Sequence, residues 1–140
     1  MPELIADHET VTFITEAGLT ATGKFTVLGA NLKDNVTVTL NDANNVFSID
    51  ARTITKADTE EGKDINVTFS PTTVGNYTAT VTLSSPGADD VIVTLNGTAT
   101  TPVPTLTVSE NVLTFNADIN NDDTKTITLS GHALSGDITI

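Results

Sequence analysis

Threonine and other polar residues alternate with Val, Ile, Leu or Phe along most of this chain, so that every second side chain is apolar. A period of two places apolar side chains on one face of an extended strand and polar ones on the other. The clearest runs lie at residues 25–27, 36–40, 65–69, 77–83 and 91–95, and weaker ones at residues 4–6, 11–13 and 46–49. We therefore predict an all-β fold with about seven or eight strands in roughly the first hundred residues.

Clusters of Gly, Asn, Asp, Ser and Pro separate these runs, as at residues 41–45 and 84–90, and they predict the turns between strands. Helical patterns are nearly absent. Residues 55–62 contain Thr and Asp residues that could cap one helical turn, but they have no apolar stripe for a helix to bury. We predict a loop there.

A repeat with a spacing of 102 residues aligns residues 2–38 with residues 104–140 without a gap. The identical pairs include Leu4 and Leu106, Phe13 and Phe115, Gly29 and Gly131, and Leu32 and Leu134. The chain is therefore predicted to contain one complete unit, residues 1–101, and a partial second unit, residues 102–140. Two X-Pro steps in Thr101-Pro102-Val103-Pro104 favour an extended, fairly stiff connection between the two.

A unit of about 100 residues with seven or so alternating strands has the size and pattern of an immunoglobulin-like sandwich. Gly75-Asn76-Tyr77 lies where a tyrosine corner would begin a strand, with the phenol bonded back to nearby backbone. Together with Phe-Ser-Pro at residues 69–71 and Leu-Asn-Gly-Thr-Ala at residues 95–99, this segment resembles the immunoglobulin-like tandem repeats of secreted and surface proteins from Bacteroidota. It is also similar to the bacterial and ciliary domains related to major sperm protein.

The resemblance implies an immunoglobulin-like antiparallel β-sandwich in tandem arrangement, with an extracellular or cell-surface location. The resemblance assigns no catalytic or ligand-binding residue to this chain, because the shared motifs concern only the fold and the tandem arrangement. Proteins of that kind begin with a signal peptide, whereas Met1-Pro2-Glu3-Leu4 has no basic and apolar targeting pattern. A place in a virus particle is therefore the alternative location.

The charge balance narrows the range of partners. The chain has Lys+Arg 6 against Asp+Glu 18, a formal net charge of -12 at pH 7. A surface of this sign repels phosphate backbones and anionic lipid headgroups, so we expect neither nucleic-acid binding nor membrane association. No run approaches the roughly 18 apolar residues of a membrane helix, and with Cys 0 there is no disulfide, thiol nucleophile or thiolate metal site.

Histidine is the obvious candidate for acid–base chemistry, and the chain has two, His8 and His132. They are not equivalent in the repeat, since His8 aligns with Glu110 and His132 with Ala30. Neither belongs to a nucleophile-elbow motif or to a zinc-type histidine pair. We expect both to be surface or turn residues, and we predict no catalytic residue, no cofactor and no enzymatic activity.

Asp118, Asn120 and Asp122 reproduce the ligand spacing in the first half of an EF-hand loop. The match then fails, because Asp123 stands where glycine is needed and Leu129 where a bidentate glutamate belongs. Asn and Asp are also the usual residues of hairpin turns. We predict turns and assign no metal site, with weak calcium binding as the alternative here and at the similar clusters of residues 42–45 and 89–90.

Two further roles are not expected. Sugar-binding sandwiches offer aromatic faces for stacking, but this chain has Trp 0, Tyr 1 and Phe 5, and its pattern places the tyrosine and most phenylalanines in the core. An internal Lys–Asn crosslink would need both residues in the core, whereas Lys24 and Asn96 have the parity of polar faces. The glycosylation sequons at Asn35 and Asn76 fit a Thr-rich strand composition.

The partial second unit is the main functional clue. Two or three strands alone are marginal in water, so another element must cover its apolar side chains, which are Leu106, Val108, Leu113, Phe115, Ile127, Leu129, Ile138 and Ile140. The cover is expected either from missing strands of a longer tandem protein or from another subunit, as in a homo-oligomer built by strand addition.

We therefore expect a non-enzymatic structural or interaction module of a tandem-repeat surface or filament protein, which acts as a spacer, an adhesive stalk or an assembly subunit. The alternative is a decoration or fibre component of a virus particle. A third class, an accessory domain of a hydrolase, would need neighbouring domains outside these residues.

Overall fold

The computed structural model describes every residue, Met1–Ile140, in two units, Met1–Thr101 (unit 1) and Pro102–Ile140 (unit 2). Unit 1 contains β1 Glu3–Ala6, β2 Thr10–Glu16, β3 Ala21–Ala30, β4 Val36–Asn41, β5 Phe47–Ile49, β6 Thr53–Ile54, α1 Lys56–Glu61, β7 Lys63–Phe69, β8 Gly75–Ser84 and β9 Val91–Thr100. Unit 2 contains β10 Thr105–Val108 and β11 Leu129–His132.

The strands of unit 1 form two sheets, one ordered β1-β3-β7-β5 and the other β2-β9-β8-β4-β6. Every neighbouring pair is antiparallel except β2 and β9, which run parallel. The first sheet has the A-B-E-D order and the second contains the C-F-G order of an immunoglobulin-like sandwich. The predicted fold class, an all-β immunoglobulin-like sandwich, is confirmed.

The core of unit 1 lies between the sheets and is built from inward side chains of both. Phe13, Phe25 and Phe69 are buried, as their parity predicts. Phe13 meets Phe47 edge-on, Phe47 stacks on Phe69 with ring centroids 4.9 Å apart, and Tyr77 meets Phe69 edge-on. This aromatic cluster joins the two sheets at one end of the sandwich.

The segment at residues 55–62 corrects the sequence prediction, because α1 forms there instead of a loop. The hydroxyl of Thr55 accepts a hydrogen bond from the Asp58 N–H at 3.1 Å and caps the turn. Thr59 is fully buried, and its hydroxyl donates to the Lys56 carbonyl at 2.6 Å. A helix of one and a half turns needs one inward residue and no apolar stripe, so the absence of a stripe was a poor guide.

No helix in the structure has the length and apolar character needed to cross a lipid bilayer.

Candidate interaction surface

Unit 2 repeats the leading strand pair of unit 1 with the same register. In unit 1, β1 pairs with β3 so that Leu4 lies opposite Gly29. In unit 2, β10 pairs with β11 so that Leu106 lies opposite Gly131, and all four pairs are shifted by the repeat spacing. The sequence repeat is therefore a repeat of backbone pairing.

Hydrogen bonds beyond the ladder are also repeated. The Asp7 N–H donates to the Thr26 carbonyl at 3.0 Å, and the Ser109 N–H donates to the Thr128 carbonyl at 2.9 Å. In the opposite direction, the Thr26 N–H donates to the Asp7 carboxylate at 2.6 Å, and the Thr128 N–H donates to the Ser109 hydroxyl at 2.9 Å. Aspartate and serine thus accept the same bond at equivalent positions.

The turns of unit 2 also repeat the backbone conformation of the equivalent turns of unit 1. Asn31 and Ala133, which are equivalent, have left-handed backbone with φ of 54° and 52°. Gly18 and Asn120 are equivalent as well, with φ of 90° and 67°. Asparagine tolerates this region better than most residues, whereas alanine does not favour it. Ala133 keeps a conformation that its own side chain disfavours, which shows how closely unit 2 follows unit 1.

Several segments of residues 102–140 form no strand although their equivalents in unit 1 do. In unit 1 those equivalents pair with strands that lie outside the repeated segment, residues 2–38. Within unit 1, β2 pairs with β9, the first part of β3 pairs with β7, and β4 pairs with β6 and β8. These partners lie beyond residue 38, and residues 102–140 contain no equivalent of them. Accordingly, residues 112–118, 123–128 and 138–140 form no strand.

The apolar side chains of unit 2 are consequently uncovered. Leu4 is 5% exposed and its equivalent Leu106 is 52% exposed. Phe13 is 3% exposed and Phe115 is 53% exposed. Covering one such side chain contributes about 1.5–3 kcal/mol. We call the surface formed by Leu106, Val108, Phe115, Ile127, Leu134 and Ile138 the open face of unit 2.

One position of the open face departs from unit 1. A Cβ on Gly23 would lie 2.9 Å from the Phe13 ring, so unit 1 has no room for a side chain there. Unit 2 has Lys125 at the equivalent position, and its Nζ lies 5.6 Å from the centre of the Phe115 ring and donates to the Thr114 carbonyl. Unit 2 therefore carries a lysine where the Phe13 ring closes the equivalent space of unit 1.

The structure places Asp118, Asn120 and Asp122 in the turn equivalent to the β2–β3 turn. The Asn121 N–H donates to the Asp118 carbonyl at 3.0 Å, as the Leu19 N–H donates to the Glu16 carbonyl at 3.1 Å. Asn120 supplies the left-handed residue of this turn. No group of three or more His, Asp or Glu side chains lies close enough together to hold a metal ion.

The Asp42 cluster is also a turn. Its carboxylate accepts hydrogen bonds from the N–H groups of Asn44 at 3.1 Å and of Val46 and Phe47 at 2.7 Å. These bonds satisfy the backbone where the chain leaves β4 for β5, while Asn45 takes a φ of 54°. The exposed pair Asp89 and Asp90 directly precedes β9.

The two histidines belong to different units. His8 is exposed between β1 and β2, where its Nδ1 lies 3.0 Å from the Asp7 carboxylate. His132 ends β11 opposite Thr105. Lys24 and Asn96 likewise lie in different sheets: Lys24 in β3 pairs with Asp64, and Asn96 in β9 accepts a bond from the Thr78 hydroxyl at 3.3 Å.

Tyr77 forms the predicted corner at the start of β8. Its Oη donates to the Thr73 carbonyl at 2.8 Å and lies 2.7 Å from the Thr73 hydroxyl. The ring packs edge-on against Phe69. The corner fixes the loop between β7 and β8 to the aromatic cluster.

Tyr77→Phe should lower the free energy of unfolding of unit 1 by about 0.5–1.5 kcal/mol, because it removes the bond to Thr73 and keeps the ring. Urea unfolding at neutral pH measures the change. Thr73→Val is the matched control, since it removes only the hydroxyl and should cost less than Tyr77→Phe. An unchanged stability in Tyr77→Phe would show that the corner bond contributes nothing.

A polar network that the strand pattern did not reveal lies on the outer face of the first sheet. Lys24 Nζ bonds the Asp64 carboxylate at 2.6 Å, and the Thr26 hydroxyl donates to the other Asp64 oxygen at 2.7 Å. The hydrogen bond from Lys24 lowers the pKa of Asp64, and that same bond raises the pKa of Lys24. The Thr26 N–H lowers the pKa of Asp7.

Asp64 should stabilise unit 1 at neutral pH and lose this effect in acid. Its pKa in the folded chain lies below the ordinary 3.8, so its contribution is present above that value and is lost as the pH falls through the folded pKa. Asp64→Asn should therefore lower the melting temperature near pH 7, and the difference from the native chain should shrink as the pH falls below 3.8.

The exposed carboxylate of Asp90 provides the control. Asp90→Asn makes the same change in charge and should shift the melting temperature less than Asp64→Asn at neutral pH. A difference between Asp64→Asn and the native chain that stays constant from about pH 7 to about pH 2 would contradict the linkage.

Comparison with known proteins adds to the description of the fold. No protein-family model matches the sequence, and no curated protein is similar to it in sequence. The GH5 xyloglucanase of Bacteroides ovatus, solved with a XXXG heptasaccharide, matches with a TM-score of 0.55 and 16% identity, over 71% of this chain and 19% of the enzyme. The ASH/PapD-like domain 7 of human CEP192 matches with a TM-score of 0.53 and 13% identity, over 70% of this chain and 85% of that domain.

A family 123 glycoside hydrolase from Clostridium perfringens matches with a TM-score of 0.51 and 10% identity, over 66% of this chain and 23% of the enzyme. The chain thus spans less than a quarter of both hydrolases and most of the CEP192 domain. At these identities the likeness concerns the fold alone. The immunoglobulin-like sandwich is shared with these proteins, while membership of the Bacteroidota repeats stays a prediction.

Proposed function

We propose that this chain is a non-enzymatic structural and interaction module of a tandem-repeat surface or filament protein. The observation that carries the proposal is the repeated strand pair, in which β10 and β11 reproduce the register of β1 and β3. Tandem sandwiches act through number and spacing, with each unit folding on its own core. A spacer, an adhesive stalk or an assembly subunit is the role that this arrangement suits.

The electrostatics support a non-catalytic role. The groups with shifted pKa values, Asp7, Lys24 and Asp64, bond to one another or to Thr26 on an exposed sheet face. Catalytic groups with shifted pKa values are instead gathered in a cleft, where burial and opposing charges prepare them for reaction. The network here stabilises strand pairing.

Surface labelling of the organism that encodes the chain tests the proposal. Antibodies against unit 1 should label intact cells, and an external protease should remove the label before lysis. Label confined to purified virus particles would instead assign the alternative role, a decoration or fibre component. Label that appears only after lysis would contradict a surface or filament function.

A further inference from the structure

The open face of unit 2 has a template within the same molecule. Every apolar position on it has an equivalent in unit 1 that belongs to the core or packs against it, and that core also contains side chains of β5, β7, β8 and β9. Unit 1 therefore specifies the geometry of the missing cover. One strand would run antiparallel to residues 123–129, as β7 does along β3, and another parallel to residues 112–118, as β9 does along β2.

β10 cannot take the place of β1 on the sheets of its own chain. In unit 1, Thr10 lies beside Thr94 and Glu16 beside Thr100, so β1 lies beyond Thr94, toward the start of β9. A return from Thr100 to the level of Thr94 alone is about 20 Å. The five peptide steps from Thr100 to Thr105 reach at most about 18 Å, which is too short for β10 to occupy the place of β1.

A second copy of the chain gains nothing by accepting unit 2. Its β7 and β9 are already paired with β3 and β2 of its own unit 1. Strand exchange would cover one set of apolar side chains and uncover an equivalent set, so burial of apolar surface gives exchange no driving force. Exchange between copies therefore produces no net cover for the open face.

We propose that the open face of unit 2 binds a polypeptide segment additional to these residues, which supplies strands equivalent to β7, β8 and β9 and completes a second sandwich. This deepens the proposed tandem-repeat function and rests on it. The segment alternates apolar residues with Thr or Asn, as β8 and β9 do. Near Lys125 it carries a small or acidic side chain, because a charged lysine stands where unit 1 has Gly23 packed against the side chains of Phe13 and Val11.

The remainder of unit 1, residues 39–101, can serve as the segment that tests this proposal. Ile140 stands at the position of Val38, so a second copy of residues 39–101 fused directly after Ile140 continues the repeat in register. In the extended chain, amides of residues 112–118 should exchange with deuterium at least about 100-fold more slowly than in the 140-residue chain. Lys125→Gly in the extended chain should slow the exchange further, because it restores the packing of Gly23 against Phe13.

Phe115→Asp supplies the control for specific docking. In the extended chain it should remove the added protection of residues 112–118, while in the 140-residue chain it should leave the unfolding of unit 1 unchanged. Exchange that is equally fast with and without the extension, including in the Lys125→Gly variant, overturns the proposal.

Sedimentation of the 140-residue chain tests the competing occupant. Concentration-dependent dimers that Phe115→Asp abolishes would assign the open face to a second copy and overturn the proposal. A monomer over the same concentrations supports it. These results are independent of the surface labelling, so a failure here is distinguishable from a failure of the proposed function.

Discussion

Phe13→Ala should destabilise unit 1 by about 3–5 kcal/mol, whereas Phe115→Ala should change its stability by less than about 0.5 kcal/mol. Phe13 is buried between the sheets, and its ring centre lies 5.7 Å from that of Phe47 and 6.0 Å from that of Phe69. Its removal leaves a cavity at the point where both sheets meet. Since a domain has only about 5–15 kcal/mol of net stability, the variant should be close to unfolding at physiological temperature.

Phe115 is the matched control, because it is the same residue at the equivalent position of the repeat and is half exposed. Chemical unfolding of the 140-residue chain, followed by far-ultraviolet circular dichroism, measures both changes. Equal losses from the two substitutions would mean that Phe115 is packed in solution, and the uncovered state of unit 2 would then be wrong.

Much of the fold could be predicted from the sequence, because each sheet of the sandwich buries one face in the core and exposes the other to water. Alternation identified the long strands β7, β8 and β9, since each buries every second residue. The repeat identified the equivalence of β10 with β1, since identity and parity persist together. Tyr77 was recognisable because its glycine and asparagine neighbours mark the start of a strand.

Other features depend on which strands are neighbours, and a linear pattern does not contain that information. Asp7, Thr26 and Asp64 come from three strands or their ends and meet only through the pairing of β1, β3 and β7. The helix α1 is too short for a periodic signal. The unusual position of Lys125 could have been predicted from the sequence, because Lys125 has the parity of the apolar residues Ile127 and Leu129 and aligns with Gly23.

Gly97→Ala should destabilise unit 1 by about 1–3 kcal/mol through overpacking. Gly97 lies in β9 between Phe13 of β2 and Tyr77 of β8, and a Cβ there would lie 2.5 Å from the Phe69 ring. In an open strand position the same substitution would be favourable, since glycine costs about 0.5–1 kcal/mol more than alanine in backbone entropy. Steric overlap with Phe69 therefore outweighs the entropy gain and makes Gly97→Ala destabilising.

A double-mutant cycle with Phe69→Leu separates this overlap from any general effect on the strand, because leucine withdraws the ring atoms that the new Cβ would meet. The loss in the double variant should be smaller than the sum of the two single losses by about 0.5–3 kcal/mol, as measured by urea unfolding. Gly136→Ala, at a position with no neighbouring atom within 4 Å, should be close to neutral. Strict additivity of Gly97→Ala and Phe69→Leu would contradict the contact, and the close approach of β9 to the aromatic cluster would then need another explanation.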